Sequence, residues 1–193
     1  MALQTSGAIS LNDIHVEAGG TSGTQASIND ADIRALIGKA SGATMSFSEW
    51  YGASADTVFT VTQGTLSQQF STKRGFVDDT STGSVSPANL NGANNTAMTI
   101  EECARVNSSA GMFFQFELSY SSAISASEFT SLKFTANGTL TTLTTAESST
   151  TSTRGGFGRR WTWSSSNGLD STEISNITAE WDGSGDIDVT FVV

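Results

Sequence analysis

The sequence predicts a mainly β protein: an antiparallel β-sandwich over residues 55–193, preceded by a small module with short helices over residues 1–54. Three observations predict it. Only 15% of the 193 residues are charged, well under the ~25% usual in globular chains. Glycine, serine and threonine take their place, which suits short strands and tight turns. From Thr57 onward apolar and polar residues alternate with the period of half-buried strands. Before that point the apolar spacing is helical, and one four-residue pattern occurs three times.

That pattern is Ser, apolar, capping residue, acid: Ser10-Leu11-Asn12-Asp13, Ser27-Ile28-Asn29-Asp30 and Ser46-Phe47-Ser48-Glu49. In the middle copy Asn29 stands where a side-chain oxygen accepts an orphan N–H of the first turn. Asp32 follows at the capping-box position, and Ile28 and Ile33 have the spacing of a hydrophobic staple. Gly38 supplies a left-handed stop. The spacing predicts a helix of about two turns from Asp30 to Ile37, with Ile33, Leu36 and Ile37 as its apolar stripe. Shorter turns are expected at Leu11–Glu17, before Gly19-Gly20, and at Phe47–Tyr51, before Gly52. Helices under ~12–15 residues are marginal alone in water. The module is therefore expected to complete its core on a partner or on the rest of the chain, presenting Leu11, Ile14, Ile33, Leu36, Ile37, Phe47 and Trp50.

Strands are then predicted in order. Val58–Thr62 and Leu66–Thr72 flank a hairpin-like break at Gln63-Gly64-Thr65. Lys73-Arg74-Gly75-Phe76 leads into a loop at Asp78–Gly83, and a turn-rich passage surrounds Pro87. Met98–Val106 follows, then Met112–Ser119, with Met112, Phe114, Phe116 and Leu118 on one face and Gln115 and Glu117 on the other. Further strands are expected at Phe129–Thr135, Leu140–Thr145, Arg160–Ser164, Ile174–Trp181 and Asp186–Val193. Ser148–Phe157 reads as a loop tip. Nine or so short strands at regular spacing point to the sandwich.

A net charge of −10 with nine Lys and Arg disfavours a nucleic-acid or anionic-membrane surface by repulsion. No apolar run approaches the ~18 residues of a membrane span, and no leader pattern stands at the start. One cysteine, Cys103, excludes an intrachain disulfide framework. A soluble protein made in a reducing cytosol is expected.

The residues give little to catalysis. The one histidine, His15, lies in the first capped turn, without a second for a His-bearing zinc cluster with Cys103 or a triad. Cys103 reads as a buried, inert thiol. Glu101 and Glu102 point to opposite faces of a regular strand, which argues against an acid–base pair. Asp182-Gly183-Ser184-Gly185-Asp186-Ile187-Asp188 lacks the order and distal Glu of an EF-hand loop. Arg154-Gly155-Gly156-Phe157-Gly158-Arg159-Arg160 lacks the Lys-Ser or Lys-Thr ending of a phosphate loop. No catalytic, cofactor or metal site is expected. Arg154, Arg159 and Arg160 form the strongest positive patch, either a solvated turn or a contact for an acidic neighbouring subunit. Trp161 and Trp163 share one strand face, either as core or as an exposed platform for a sugar ring.

Residues 2–54, Ala-Leu-Gln-Thr-Ser-Gly-Ala-Ile-Ser-Leu-Asn-Asp-Ile-His-Val-Glu-Ala-Gly-Gly through Ser-Phe-Ser-Glu-Trp-Tyr-Gly-Ala-Ser, closely resemble an N-terminal module of tailed-bacteriophage virion proteins described as tail-fibre-like or tail structural proteins. A second, looser resemblance runs through Gly75-Phe76, Gly83-Ser84-Val85-Ser86-Pro87, Leu90-Asn91-Gly92 and Trp161-Thr162-Trp163. It is to a β-rich module of phage tail and fibre proteins, here with Ala93-Asn94-Asn95-Thr96 inserted. The resemblance implies a shared attachment element, other phage virion proteins as partners, and a homo-oligomer, by analogy with fibres a trimer. The expected function is therefore a non-enzymatic virion structural protein of the tail, baseplate or tail fibre, assembled in the host cytoplasm and anchored through residues 1–54. The alternatives are a receptor-binding tail protein that takes a host surface glycan, and a capsid decoration (cement) protein. A depolymerase is disfavoured because the acid–base constellation is missing.

Overall fold

The run Met112–Leu118 carries the strongest alternation in the chain, and its aromatic face sets the architecture. A computed structural model describes residues 3–4, 6–51, 53, 56–91, 97–121 and 128–193. The helices are α1 (Leu11–Glu17), α2 (Ala31–Ala35) and α3 (Ser171–Glu180). The strands are β1 (Thr57–Thr62), β2 (Gly64–Gln68), β3 (Ser71–Val77), β4 (Ser84–Ser86), β5 (Asn89–Asn91), β6 (Ala97–Ser108), β7 (Gly111–Ser119), β8 (Ser131–Ala136), β9 (Thr139–Thr144), β10 (Ser149–Thr153), β11 (Gly158–Ser164) and β12 (Asp186–Val192). They form two antiparallel sheets packed as a sandwich. One sheet has the order β4-β1-β12-β8-β9. The other runs β10-β11-β7-β6-β3-β2, with β5 pairing the start of β6.

Phe114 and Phe116 on β7 are fully buried between the sheets. Phe116 stacks on Phe59 of β1 at 5.9 Å between ring centres and meets Phe129 edge-on at 5.5 Å. Phe114 meets Phe134 of β8 at 5.3 Å and Trp181 edge-on at 4.8 Å. Such pairs add about 0.5–1.5 kcal/mol each beyond the area they bury. Phe191, Val189 and Ile187 of β12 and Trp161 and Trp163 of β11 complete this core.

Four expected elements differ. Gln63-Gly64-Thr65 is no hairpin, because β1 and β2 belong to different sheets. Gln63 is the corner between them, and it is buried. Its side-chain amide donates to the carbonyls of Glu180 (3.1 Å) and Ser184 (2.6 Å) and accepts from the N–H of Gly183 (3.1 Å). Gly64 follows because a Cβ there would lie 2.5 Å from the backbone nitrogen of Gly83. The hairpin lies instead at Gln69-Phe70, between β2 and β3, inside the expected strand Leu66–Thr72. The expected loop Ser148–Phe157 contains β10, an edge strand paired with β11. The expected loop Asp78–Gly83 does contain a short 3₁₀ turn at Asp78–Thr80.

The fourth difference is the expected strand Ile174–Trp181, which is helix α3. The Asp170 carboxylate accepts from the N–H groups of Thr172 (2.7 Å) and Glu173 (2.8 Å), and the Glu173 carboxylate accepts from the N–H of Asp170 (2.9 Å). That is a reciprocal capping box, with Leu169 and Ile174 at staple spacing. Ile177 and Trp181 enter the core. The last-turn carbonyls, orphaned in any helix, are met from the sheets: Gln63 reaches Glu180, and the Arg105 guanidinium reaches the carbonyl of Thr178 at 3.4 Å. Burial and the neighbouring Arg74 hold Arg105 below its usual pKa.

Residues 3–53 gather a second, separate apolar cluster. Leu3, Ile14, Ile33 and Trp50 form its centre, with Ile9, Leu11, Ile28, Leu36, Ile37 and Met45 packed on it. The Trp50 indole N–H donates to the carbonyl of Ile33 at 3.1 Å. The short elements, expected to be covered by a partner or by the rest of the chain, pack on one another here. Ser54, where the sequence places the end of the module, and the insertion Ala93–Thr96 lie outside the described residues.

Two substitutions rank these interactions. Asp170→Ala removes one cap and is expected to cost about 1 kcal/mol in chemical unfolding. Gln63→Ala removes three part-buried hydrogen bonds at the corner, so a larger loss of about 3 kcal/mol is expected. The reverse order would contradict the corner's role.

Candidate functional site

Two regions carry the residues that the sequence singles out. The first is the N-terminal module. Each copy of its repeated pattern folds into the same turn, in which the acid at the fourth position accepts from the N–H of the serine at the first. The distances are 2.9 Å for Ser10–Asp13 and 2.7 Å for both Ser27–Asp30 and Ser46–Glu49. The capping residue is thus the serine or the acid, and not the third residue of the pattern. Ser10 caps α1, and Asp30 is the N-cap of α2, without a side-chain cap bond. Asn29 instead donates its N–H to Ser27 Oγ at 3.2 Å. Helix α2 ends at Ala35, two residues before the expected end, although Gly38 does take the left-handed conformation with φ +64°. Hydrogen bonds from Ser10 lower the pKa of Asp13; Lys39 first, then the Ser46 N–H, lower that of Glu49.

The seven side chains expected to face a partner divide into two groups. Ile14, Ile33 and Trp50 have no exposed surface, because the three turns converge on them. They hold the module together and are not presented. Leu11, Leu36 and Ile37 are half-buried, and Phe47 is 44% exposed. Val16 and Tyr51, not singled out in the sequence, are also exposed. No pattern in the sequence separates these groups, since the positions of all three turns around one centre decide it.

The second region is the outer face of the larger sheet. A register shift in β6 between Ile100 and Glu102 marks a bulge at Glu101. Bulges re-aim side chains, so the expected opposition of Glu101 and Glu102 does not hold. Glu102 lies directly across from Glu117 of β7. Arg160 bridges the two carboxylates, at 3.2 Å from Glu102 and 2.5 Å from Glu117, and Lys73 Nζ lies 2.7 Å from Glu102. Arg154 pairs with Glu101 at 2.6 Å and with Asp79 at 3.2 Å. Arg159 lies on the same strand as Arg160, and its guanidinium reaches Thr150 Oγ1 at 3.5 Å.

Paired carboxylates at cross-strand distance are the geometry of a glycosidase pair, so the surroundings of this pair decide whether it can act as one. The side chains of Glu102 and Glu117 are 3% and 6% exposed, and their oxygens are taken by cations. A general acid must hold a proton and reach a substrate; these carboxylates are ion-paired and covered. The arrangement neutralises two like charges forced together by the register. Trp161 and Trp163 are fully buried, and the Trp163 indole N–H donates to the carbonyl of Thr144 at 2.7 Å. Neither ring is a surface platform.

The remaining candidates have structural partners. His15 Nε2 lies 2.9 Å from Thr24 Oγ1, with the imidazole against Gly20, where a Cβ would clash with the ring. Cys103 is buried, and desolvation, with Glu102 nearby, raises its thiol pKa well above the usual value. Asp182 Oδ1 accepts from the N–H and the hydroxyl of Ser184, closing a turn. Among the described residues no group of three or more His, Cys, Asp or Glu is placed to hold a metal ion, and no helix is long and apolar enough to cross a membrane. In comparisons with protein-family models, curated proteins and solved structures, nothing matches this chain.

Arg160→Met leaves Glu117 without its cation and is expected to destabilise the protein by about 3 kcal/mol at pH 8. Wild-type stability in that variant would contradict the bridge. The lowered pKa values of Asp13 and Glu49 contribute stability above the ordinary carboxylate range, about 4, which is lost as pH falls through the lowered values. Protection factors of amides within residues 8–50, that is, exchange corrected for its intrinsic pH dependence, are expected to fall on acidification, and protection that rises would refute the capping assignment.

Proposed function

We propose that this chain is a non-enzymatic structural component of a bacteriophage particle, belonging to the tail, baseplate or tail fibre. Residues 1–54 attach it, and the sandwich forms its body. The observation that carries the reading is the resemblance of residues 2–54 to a shared module of phage virion proteins. Two physical features support it. The module gathers its own apolar cluster, apart from that of the sandwich, as an attachment element joined to a differing body requires. It also leaves Phe47, Val16 and Tyr51 exposed beside the half-buried Leu11, Leu36 and Ile37. Burial of a large exposed ring on a partner is worth about 1.5–3 kcal/mol.

The charge on the sandwich supports a structural role. The strongest candidate pair for acid–base work is consumed by Arg160 and Lys73. Within the arginine patch, Arg154 and Arg160 are themselves paired inside the chain, which weakens its pull on an acidic neighbour. Attachment through the module then falls to its apolar surface, with copies arranged about a symmetry axis as in most assemblies.

Phe47→Asp tests the attachment. The variant is expected to keep a wild-type unfolding profile, because Phe47 lies outside the module's centre, while being absent from purified particles. Ile33→Asp is expected to unfold the module itself. Normal incorporation of Phe47→Asp would overturn the attachment surface.

A further inference from the structure

We propose that Thr65, Arg74 and Arg105 form a binding site for a small inorganic oxyanion of the phosphate or sulfate class. The three residues are direct cross-strand partners on β2, β3 and β6, so they stand in one row across the larger sheet. The next partner along that row is Phe114, in the centre of the core. The row therefore runs inward from the sheet's open edge. Thr65 is exposed, Arg74 is half-buried and Arg105 is 2% exposed.

The register forces two guanidinium groups together, and among the described residues no carboxylate forms an ion pair with either. Like charges directly opposite in a sheet repel, and arginine cannot shed its proton to relieve the repulsion. Their donors are also unmet. The Nε of each is buried without a hydrogen-bond partner, and Arg105 reaches the carbonyl of Thr178 only at 3.4 Å, a long contact. Buried donors without partners are rare in folded proteins and mark places that water or an ion fills. On the outer face of the same sheet, Glu102 and Glu117 are forced together in the same way and are bridged by Arg160. A bound anion gives the two arginines the equivalent bridge.

Asp182 is the carboxylate whose charge reaches these arginines, but its Oδ1 is held by the N–H and hydroxyl of Ser184. Two cations against one acid leave the row positive within a chain of net charge −10. The turn that carries Asp182 lies against the row. A Cβ on Gly183 would run into Thr65 Oγ1 and lie 3.5 Å from Arg74 Cδ, so glycine keeps clearance over both side chains. Guanidinium forks match the oxygens of phosphate and sulfate with paired N–H bonds, and the Thr65 hydroxyl adds a donor at the open end. With Arg105 so deeply covered, the row admits a small ion and not a bulky ester. It lies in the sandwich and stands apart from attachment through the module.

The test is an NMR titration of the full chain at pH 7 with inorganic phosphate and with sulfate, at an ionic strength held constant with sodium chloride. At least one oxyanion is expected to give saturable shifts of the Arg74 and Arg105 Nε–H signals and of the Thr65 and Gly183 amides. Arg74→Met is expected to weaken binding by about tenfold or more, through its lost charge-assisted bonds, and Thr65→Val by about threefold. Arg74→Lys keeps the charge without the fork; it is expected to bind more weakly than wild type and serves if Arg74→Met does not fold. Arg159→Met, which removes an equal charge elsewhere, should bind as wild type. Shifts that fail to saturate with both oxyanions, wild-type affinity in the Arg74 variants, or an equal loss in Arg159→Met would overturn the site. Particle incorporation of Phe47→Asp reads the attachment proposal independently.

Discussion

Burial of Phe114 and Phe116 from one strand between two sheets is the constraint from which the sandwich follows. Each ring touches aromatic side chains of the opposite sheet, so removing either would loosen strands distant in sequence. Strand alternation then has an unavoidable consequence. If positions 114 and 116 face inward, position 117 faces outward, and the register of β6 sets Glu102 against it. Two carboxylates in direct opposition repel. Arg160 and Lys73, from the strands on either side of the pair, supply the opposing charge.

That consequence governs what the protein can do with its charges. A cluster of arginines in an acidic chain invites a docking role, and a pair of buried glutamates invites a catalytic one. Each is the counterpart of the other. Arg160 is paired with Glu102 and Glu117, and Arg154 with Glu101 and Asp79, so the charges that stand out in the sequence answer one another within the chain. Among the described residues, the exposed apolar side chains include Phe47, Val16 and Tyr51 on the module and Val58, Phe70, Leu140 and Phe157 on the sandwich.

Local chemistry recurs through the chain. The turn in which an acid reaches back to the backbone three residues earlier starts all three N-terminal elements, and it starts α3 at Asp170–Glu173. The fourth occurrence is written as plainly as the others. It is masked because Ile174, Ile177 and Trp181 follow a long β region and resemble a strand's apolar residues when the cap is overlooked. Their spacing of three and four is the helical one.

The sandwich class, the strands over Met98–Val106, Met112–Ser119 and Asp186–Val193, and the capped turns of the module are all legible in the order of residues. Period-two alternation and side chain-to-backbone bonds act within a few residues, so they leave their mark there. Long-range packing settles the rest: that Gln63 turns a corner, that Glu101 sits in a bulge, and that Ile33 and Trp50 face inward while Phe47 does not. The row of Thr65, Arg74 and Arg105 likewise exists only once three strands are in register. These outcomes depend on which distant strand or turn lies alongside. The competition among apolar side chains for one centre, and among charges for one partner, has no signature in the spacing of residues along the chain.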